Sequence, residues 1–156
     1  MWLPNETFKS VIQHTPLISI DLIVRNEQGE VLLGKRVNAP AKGYWFVPGG
    51  RVRKNETLDD AFIRLVREEL GIESGITRAD TKFLGVFEHF YDDCAFGGDI
   101  ITHYIVLGYE YVIDLGCEIL IKDQHLEFKY FNVAELQLEK NVHAMTKLYF
   151  TTYKSS

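Results

Sequence analysis

The stretch GRVRKNETLDDAFIRLVREELGI, residues 50–72, decides the fold of this chain. Its first residue, Gly50, is the last residue of a turn with the sequence Pro48-Gly49-Gly50. The stretch continues as a segment whose apolar residues recur at helical spacing. Thr57, with Asp60 three residues on, is typical of a helix start, and Gly71 is placed to end the helix. A glycine turn leaves backbone groups accessible, and adjacent carboxylates on a helix attract hard cations such as Mg²⁺. The stretch therefore predicts a loop and a helix that hold a metal ion beside a phosphate chain.

The composition indicates one globular domain spanning residues 1–156. Of the 156 residues, 46% are hydrophobic and 25% are charged, which is typical of a chain that buries a core. The net charge of −5 argues against nucleic acid or a membrane surface as a partner, although a local basic cluster can still bind a small anion. The first ten residues lack the pattern of a signal peptide, and no apolar run approaches the ~18 residues that span a bilayer.

The two cysteines indicate a reducing compartment. Cys94 and Cys117 lie far apart and do not have the close spacing of a zinc site. We expect them to be reduced thiols of a cytoplasmic protein.

Runs of β-branched and apolar residues predict a mixed sheet flanked by helices. The predicted strands cover residues 17–24, 31–36, 83–90, 102–113 and Glu127–Phe131, and the first two form a hairpin around a turn at residues 26–29. Besides the helix that begins after Thr57, short helices are expected at Val133–Leu138 and at residues 142–149. This order of elements belongs to the α/β or α+β class.

Two adjacent carboxylates mark the end of the long helix. Spacings of three and four residues predict a common face for Leu65, Glu68 and Glu69, and Arg64 is spaced to pair with Glu68. Adjacent acids are unfavourable at a helix C-terminus, so a bound cation or an arginine would relieve them. The alternative is a solvated, charged helix end without a ligand.

The chain resembles the Nudix hydrolases. Their sequence box matches here at Gly50, Glu56, Arg64, Val66, Glu68, Glu69, Gly71 and Ile72, with Leu65 in place of a glutamate. The resemblance implies the Nudix fold, an α/β/α sandwich, and a divalent metal cofactor, usually Mg²⁺ and alternatively Mn²⁺. Ordinary members attack phosphorus, and their box glutamates bind metal and help to activate water. Because Leu65 cannot ligate metal, the box is either degenerate in a non-catalytic binding protein or adapted to a different reaction.

Further segments resemble the GDP-mannose mannosyl hydrolases of that superfamily. They are residues 43–52, 89–93, 102–104 and 141–144, together with the Arg-Leu-Val variant of the box. In that family the metal binds the pyrophosphate, water attacks C1 of the sugar with inversion, and GDP leaves. The resemblance implies GDP-mannose or a related GDP-hexose such as GDP-glucose as substrate. It also implies a homodimer, with Trp2 and Phe8 packed on the second subunit.

Two other functions stay open beside this one. The first is a conventional Nudix pyrophosphohydrolase, which cleaves a P–O bond of a nucleoside diphosphate sugar. The second is a binding module that holds a nucleotide sugar without turnover.

The resemblance also implies roles for particular residues. The metal ligands would be the Gly49 carbonyl, Glu69 and Gln124, which all offer hard oxygen donors. His125 would be the base, because an imidazole with an ordinary pKa of ~6.5 is mostly neutral at cell pH. Catalytic or substrate-binding roles fall on Asp21, Arg36, Arg51, His89 and Tyr104, and supporting roles near the metal fall on Glu56, Arg64 and Glu68.

The residue types suit the implied reaction. A metal-bound diphosphate is a weakly basic leaving group, so one base suffices instead of the two carboxyl groups of ordinary inverting glycosidases. Arg36 and Arg51 can neutralise charge on the pyrophosphate. Asp21 interrupts the apolar run LISIDLIV, and it lies either on the exposed face of an edge strand or, as the resemblance implies, in the substrate site.

Overall fold

The computed structural model describes residues 2–37, 41–92, 97, 99–114 and 127–151. In chain order the elements are α1 (Asn5–His14), β1 (Leu17–Arg25), β2 (Val31–Lys35), β3 (Trp45–Phe46), β4 (Gly49–Arg51), α2 (Leu58–Leu70), β5 (Lys82–Tyr91), β6 (Thr102–Val112), β7 (Glu127–Phe131), α3 (Val133–Leu138) and α4 (Ala144–Lys147). Single 3₁₀ turns cover Arg78–Asp80 and Leu148–Phe150. The predicted strands are confirmed, with ends shifted by at most one residue. No helix in the described ranges is long and apolar enough to cross a lipid bilayer.

Strand β1 lies in the middle of one mixed sheet of seven strands, whose main path is β3-β2-β1-β6-β5. It runs parallel to β6, with Asp21 opposite Gly108, and antiparallel to β2 and β4. Strand β7 joins the sheet through β2. Because β1 has neighbours on both sides, Asp21 does not lie on an edge strand, and that alternative is wrong.

Helix α2 begins and ends where its sequence predicts, and it covers one face of the sheet. The Thr57 side chain accepts a hydrogen bond from the Asp60 amide at 3.1 Å, and Gly71 ends the helix in the left-handed region with a φ of 69°. The core on this face consists of Ile20, Leu22, Val24, Leu32, Ala61, Phe62, Leu65, Val66, Leu70, Ile72, Ile76, Tyr109 and Ile113. Burial of these side chains holds α2 against the strand that carries Asp21.

A second cluster covers the opposite face of the sheet. Leu136 of α3 packs there with side chains of β1, β2 and β7 and with residues near the C-terminus. The buried members are Ile23, Val31, Leu33, Val47, Phe131, Leu136, Val142 and Phe150. Helices therefore lie on both faces of the sheet, and the predicted α/β/α sandwich of the α+β class is confirmed.

The C-terminal segment differs from the single helix predicted over residues 142–149. Val142 forms a β-bridge with Trp45, and α4 begins only at Ala144. The His143 side chain caps this helix by accepting a hydrogen bond from the Met145 amide at 3.1 Å. Val142 is apolar, and an apolar residue at this position fits a helix as well as the β-bridge that precedes the helix. The sequence pattern alone therefore places the helix start too early.

The sequence pattern predicts no helix at the N-terminus, yet α1 forms there and packs on its own chain. Its buried residue Ile12 contacts Leu17 at the start of β1, and Phe8 packs against this pair. Phe8, which we expected on a second subunit, thus packs within the chain, whereas Trp2 is 81% exposed.

Candidate active site

A cavity of about 100 Å³ opens beside the middle of β1, where the glycine turn enters β4. Its walls come from β1, β3, β4, β5 and β6 and from the segments on either side of β3. The lining residues are Ser19, Asp21, Arg36, Phe46, Val47, Gly49, Gly50, Arg51, His89, Tyr91, Tyr104 and Val106. The five residues predicted to bind substrate are all among them, although they come from four strands and a loop.

The glycines of the turn are required by the close approach of the surrounding chain. A Cβ atom at position 49 would lie 2.5 Å from Asp21 Oδ1 and 2.5 Å from the Ile20 carbonyl oxygen. A Cβ atom at position 50 would lie 2.6 Å from Leu65 Cδ2. Such distances leave no room for a side chain, so Gly49 is held against β1 and Gly50 against α2.

The backbone geometry directs the Gly49 carbonyl away from β1. The Leu22 amide donates to the Pro48 carbonyl at 2.8 Å, so the next pair of the antiparallel ladder, Asp21 with Gly49, exchanges no hydrogen bonds. The Arg51 carbonyl, two residues further along β4, has the same orientation and accepts a hydrogen bond from a guanidinium of α2 at 2.9 Å. The Gly49 carbonyl therefore points toward the side of the turn on which α2 lies.

Leu65 belongs to the core and not to a metal-facing surface of α2. It is 2% exposed and packs beneath Gly50, while the Glu68 side chain is 41% exposed, so the predicted common face of the two residues is wrong. Glu69 is partly buried and follows Leu65 by four residues, which places it one turn further along the same side of the helix. A backbone carbonyl and a carboxylate are donors that hard cations prefer, so Gly49 and Glu69 fit the implied Mg²⁺.

Arg64 ties α2 to the loop that precedes it. Its guanidinium donates to both Glu56 oxygens, at 2.5 and 2.9 Å, and to Glu68 at 3.0 Å, and it also holds the Arg51 carbonyl. These bonds from Arg64, opposed by burial and helped by the Arg53 amide, lower the pKa of Glu56 to about 2. The predicted pair of Arg64 with Glu68 is confirmed, and Glu56 anchors the loop.

Two arginines of the cavity form no ion pair with any carboxylate in the described part of the chain. The Arg36 Nε atom is buried there without a hydrogen-bond partner, and its guanidinium lies 5.9 Å from the centre of the Phe46 ring. The Arg51 guanidinium lies 4.4 Å from the centre of the Phe8 ring, and burial lowers its pKa. A buried guanidinium donor normally has an acceptor, so Arg36 is placed to receive an anionic ligand, and Arg51 lines the same cavity.

Asp21 is the acid in the wall of this cavity. Burial raises its pKa from 3.8 to about 7, an effect that a hydrogen bond from the Tyr149 hydroxyl, at 2.6 Å, partly opposes. A carboxyl group with this pKa exists in both protonation states near neutral pH. It can therefore accept a hydrogen bond from a ligand hydroxyl or donate one to it.

His89 and Tyr104 add neutral polar groups to the same wall. His89 is 3% exposed, and burial, with a smaller contribution from His143, lowers its pKa to about 4, so the imidazole is uncharged at pH 7. Its Nε2 atom is buried without a hydrogen-bond partner in the described ranges. Burial also raises the pKa of Tyr104, which keeps the phenol protonated. Hydroxyl groups of a ligand would satisfy such donors and acceptors.

Gln124 and His125, the predicted ligand and base, lie outside the described residues. Within the ranges that are described, no group of three or more His, Cys, Asp and Glu side chains is arranged to hold a metal ion. The predicted ligand set needs only one such side chain, Glu69, because its other donors are a backbone carbonyl and an amide.

Tyr91 and Tyr149 contact residues of the site, and no sequence signal singles out either of them, although Tyr91 lies within the family-like segment 89–93. Tyr91 lines the cavity, and its hydroxyl lies 3.5 Å from His89 Nδ1. Tyr149 reaches Asp21 across 128 residues of chain. The chain has 8 tyrosines, so residue type does not single these two out.

Replacement of Asp21 by asparagine is expected to stabilise the metal-free protein more at pH 8 than at pH 4.5. The unfolded carboxyl ionises near its ordinary pKa of ~3.9, whereas the folded one ionises at about 7. Between these values the unfolded state binds fewer protons, so wild-type stability falls as the pH rises, and D21N avoids this loss. The resulting gain in the free energy of unfolding is at most about 4 kcal/mol, and it is smaller because Asp21 is only partly buried. Urea unfolding of both proteins in EDTA at the two pH values measures the difference between their free energies of unfolding. A difference that is the same at pH 4.5 and pH 8 would contradict the expectation.

Comparisons with known proteins place this site in a family. A family model described as NUDIX domain matches residues 15–151. The low-salt glycan biosynthesis protein Agl8 of Haloferax volcanii is 43% identical over 129 residues, which cover 83% of this chain and 79% of that protein. The ADP-ribose pyrophosphatase of Methanocaldococcus jannaschii is 39% identical over 57 residues, which cover 36% of this chain and 33% of that protein.

A solved structure supports the same assignment at the level of the fold. The MutT protein of Methanosarcina mazei Go1 superposes with a TM-score of 0.68 at 22% identity, and the match covers 88% of this chain and 92% of that one. The family model, the long match to Agl8 and the shared fold agree with the box at residues 50–72. This chain belongs to the Nudix hydrolase family.

Proposed function

We propose that this Nudix hydrolase is a GDP-mannose mannosyl hydrolase. It hydrolyses GDP-mannose, or a related GDP-hexose such as GDP-glucose, to GDP and free hexose. Water attacks C1 of the sugar with inversion, so the enzyme is a glycosidase by reaction type. The cofactor is Mg²⁺, for which Mn²⁺ can substitute. By analogy with its family, the enzyme acts as a homodimer in the cytoplasm.

One observation carries the proposal: two cations, two neutral polar groups and one carboxyl group share a single cavity. Arg36 and Arg51, without ion pairs among the described residues, suit the charge of a diphosphate. Asp21, His89 and Tyr104 suit the hydroxyl groups of a sugar, since none of them carries a fixed positive charge. A diphosphate joined to a sugar has both kinds of group within one small molecule.

The burial of Leu65 favours cleavage of the C–O bond over the P–O bond. Ordinary family members use a glutamate at this position to help water attack phosphorus. Here the position holds a hydrophobic residue that is 2% exposed and packs under Gly50, so α2 supplies no third carboxylate at that point. A diphosphate whose charge is neutralised can instead depart from the sugar as an intact leaving group.

Different residues of the chain perform the separate parts of this reaction. When bound by the Gly49 carbonyl, Glu69 and Gln124, a divalent metal would neutralise charge on the pyrophosphate. Arg36 and Arg51 contact the phosphates and stabilise the departing GDP. Asp21, His89 and Tyr104 hold the sugar. His125 takes the proton from the attacking water.

The relatives give separate support for a sugar nucleotide as substrate. Agl8, whose name refers to glycan biosynthesis, matches over 83% of this chain. The ADP-ribose pyrophosphatase matches over only 36%. The longer match, over 129 residues, includes most of the residues that build the cavity walls.

The second candidate function is a pyrophosphohydrolase that cleaves a P–O bond, and the match to the ADP-ribose pyrophosphatase favours it. Hydrolysis of GDP-mannose in ¹⁸O-water separates the two. We expect the label in free mannose and unlabelled GDP. Label in GMP or in a sugar phosphate would reject the proposed reaction. ADP-ribose, tested in parallel, should be hydrolysed far more slowly than GDP-mannose, and the reverse order would favour the second candidate.

A further inference from the structure

Tyr149 connects the C-terminal 3₁₀ turn to the wall of the cavity. Its hydroxyl donates a hydrogen bond of 2.6 Å to Asp21 Oδ2. The other oxygen, Oδ1, lies against Gly49, where a Cβ atom would approach it to 2.5 Å. Asp21 and Gly49 both line the cavity, and Tyr149 is not part of its wall. The phenol therefore occupies one carboxylate oxygen and leaves the other beside the glycine turn.

The sheet is shaped to let the Tyr149 ring reach Asp21. Gly108 of β6 lies directly opposite Asp21 of β1 in the parallel ladder. A Cβ atom at position 108 would be 3.1 Å from Tyr149 Cε1, so the absence of a side chain makes room for the ring. The ring also packs edge-on against Phe87 and His89, with centroid distances of 4.6 and 5.7 Å. Contacts on three sides hold the ring, which fixes the direction of its hydroxyl.

We propose that Tyr149 is a positioning residue that fixes the Asp21 carboxyl for recognition of the sugar. This inference rests on the proposed function, because it assigns the sugar end of the substrate to Asp21. With Oδ2 engaged by Tyr149, Oδ1 is the oxygen that receives a sugar hydroxyl. Tyr149 does not touch the substrate. Its effect on recognition passes entirely through Asp21.

Replacement of Tyr149 by phenylalanine keeps the ring and its packing and removes only the hydroxyl. Asp21 then loses the donor that fixes its carboxyl, which can rotate away from the orientation that suits the sugar. We expect kcat/KM for GDP-mannose to fall roughly 10- to 100-fold. The affinity for GDP, which has no sugar, should stay within about twofold.

A double-mutant cycle tests whether Tyr149 acts through Asp21. Wild type, Y149F, D21N and the double variant are compared in GDP-mannose hydrolysis and in calorimetric titrations with GDP in Mg²⁺. In the D21N background, Y149F should cost little or nothing, because the residue that it positions has changed. An equal loss in both backgrounds, or a parallel loss of GDP affinity, would overturn the proposal.

Further measurements distinguish this result from a general disturbance of the 3₁₀ turn and from a failure of the proposed function. Leu148→Ala changes an exposed residue of the same 3₁₀ turn, so it should leave both kcat/KM and GDP affinity unchanged. If wild type binds GDP-mannose no better than GDP and does not hydrolyse it, the proposed function fails. The same cycle in urea unfolding would then still report whether Tyr149 and Asp21 are coupled, and a missing coupling would overturn their contact as well.

Discussion

Replacement of Leu65 by glutamate, which restores the residue that the family has at this position, is expected to destabilise the fold by at least about 3 kcal/mol at pH 8. Leu65 is 2% exposed, belongs to the core between α2 and the sheet, and lies under Gly50. A carboxylate there must either lose its hydration or push α2 away from the turn. We do not expect L65E to gain P–O cleavage, because the new acid points into the core and not toward the Gly49 carbonyl.

Matched variants separate the charge of the new residue from its shape. Leu65→Gln has nearly the same size as the glutamate without its charge, and Leu65→Met conserves volume and should cost less than about 1.5 kcal/mol. A buried glutamate has a raised pKa, so L65E should be less destabilised at pH 5 than at pH 8, while the other two variants show no such difference. Urea unfolding in EDTA measures all three.

The outcome in Mg²⁺ decides what the missing glutamate means. If Mg²⁺ stabilises L65E far more than it stabilises wild type, the new acid reaches the metal. Appearance of GMP and mannose phosphate from GDP-mannose would then show that one residue separates the two reactions. Either result, or an L65E variant that is as stable as wild type in EDTA at pH 8, would contradict the expectation that the new acid points into the core.

The helix and strands near the box could be predicted because their signals are local. Thr57 and Gly71 mark the ends of α2 within a few residues of its apolar stripe, and the strands are runs of β-branched and apolar residues. Helical spacing does not say how a helix is rotated on the sheet. Leu65 and Glu68 are three residues apart, yet packing places one in the core and the other in solvent.

The site itself could be predicted only as far as the family resemblance reaches. Arg36, Arg51 and His89 come from different elements, and nothing in their spacing indicates that one cavity collects them. Tyr149 has neither a motif nor a neighbour in sequence that points to Asp21, because the contact depends on the gap that Gly108 leaves in β6. Tertiary packing creates such contacts, and local spacing does not encode them.

Replacement of His125 by glutamine is expected to lower kcat for GDP-mannose by ~10²–10⁴-fold. Glutamine can still hydrogen-bond to water, but it cannot take up a proton. The wild-type kcat should fall below a pH of ~6.5, where an ordinary imidazole becomes protonated, and H125Q should lose this dependence. Metal binding should persist, since Gly49, Glu69 and Gln124 are unchanged. Steady-state kinetics against pH, with a Mn²⁺ titration of both proteins, checks each part.

Asp21 and His89 are the competing bases, because both line the cavity. The pKa of His89 is lowered to about 4, which makes its imidazole a weak acceptor for a proton of water, so His89→Gln should affect KM more than kcat. Asp21, with a pKa of about 7, is the stronger competitor. If H125Q retains near-normal kcat while D21N loses nearly all of it and His89→Gln does not, the base is Asp21. Recovery of H125Q activity by added imidazole, with no recovery of D21N, would assign the base to His125, and the exposed His14→Gln serves as the unaffected control.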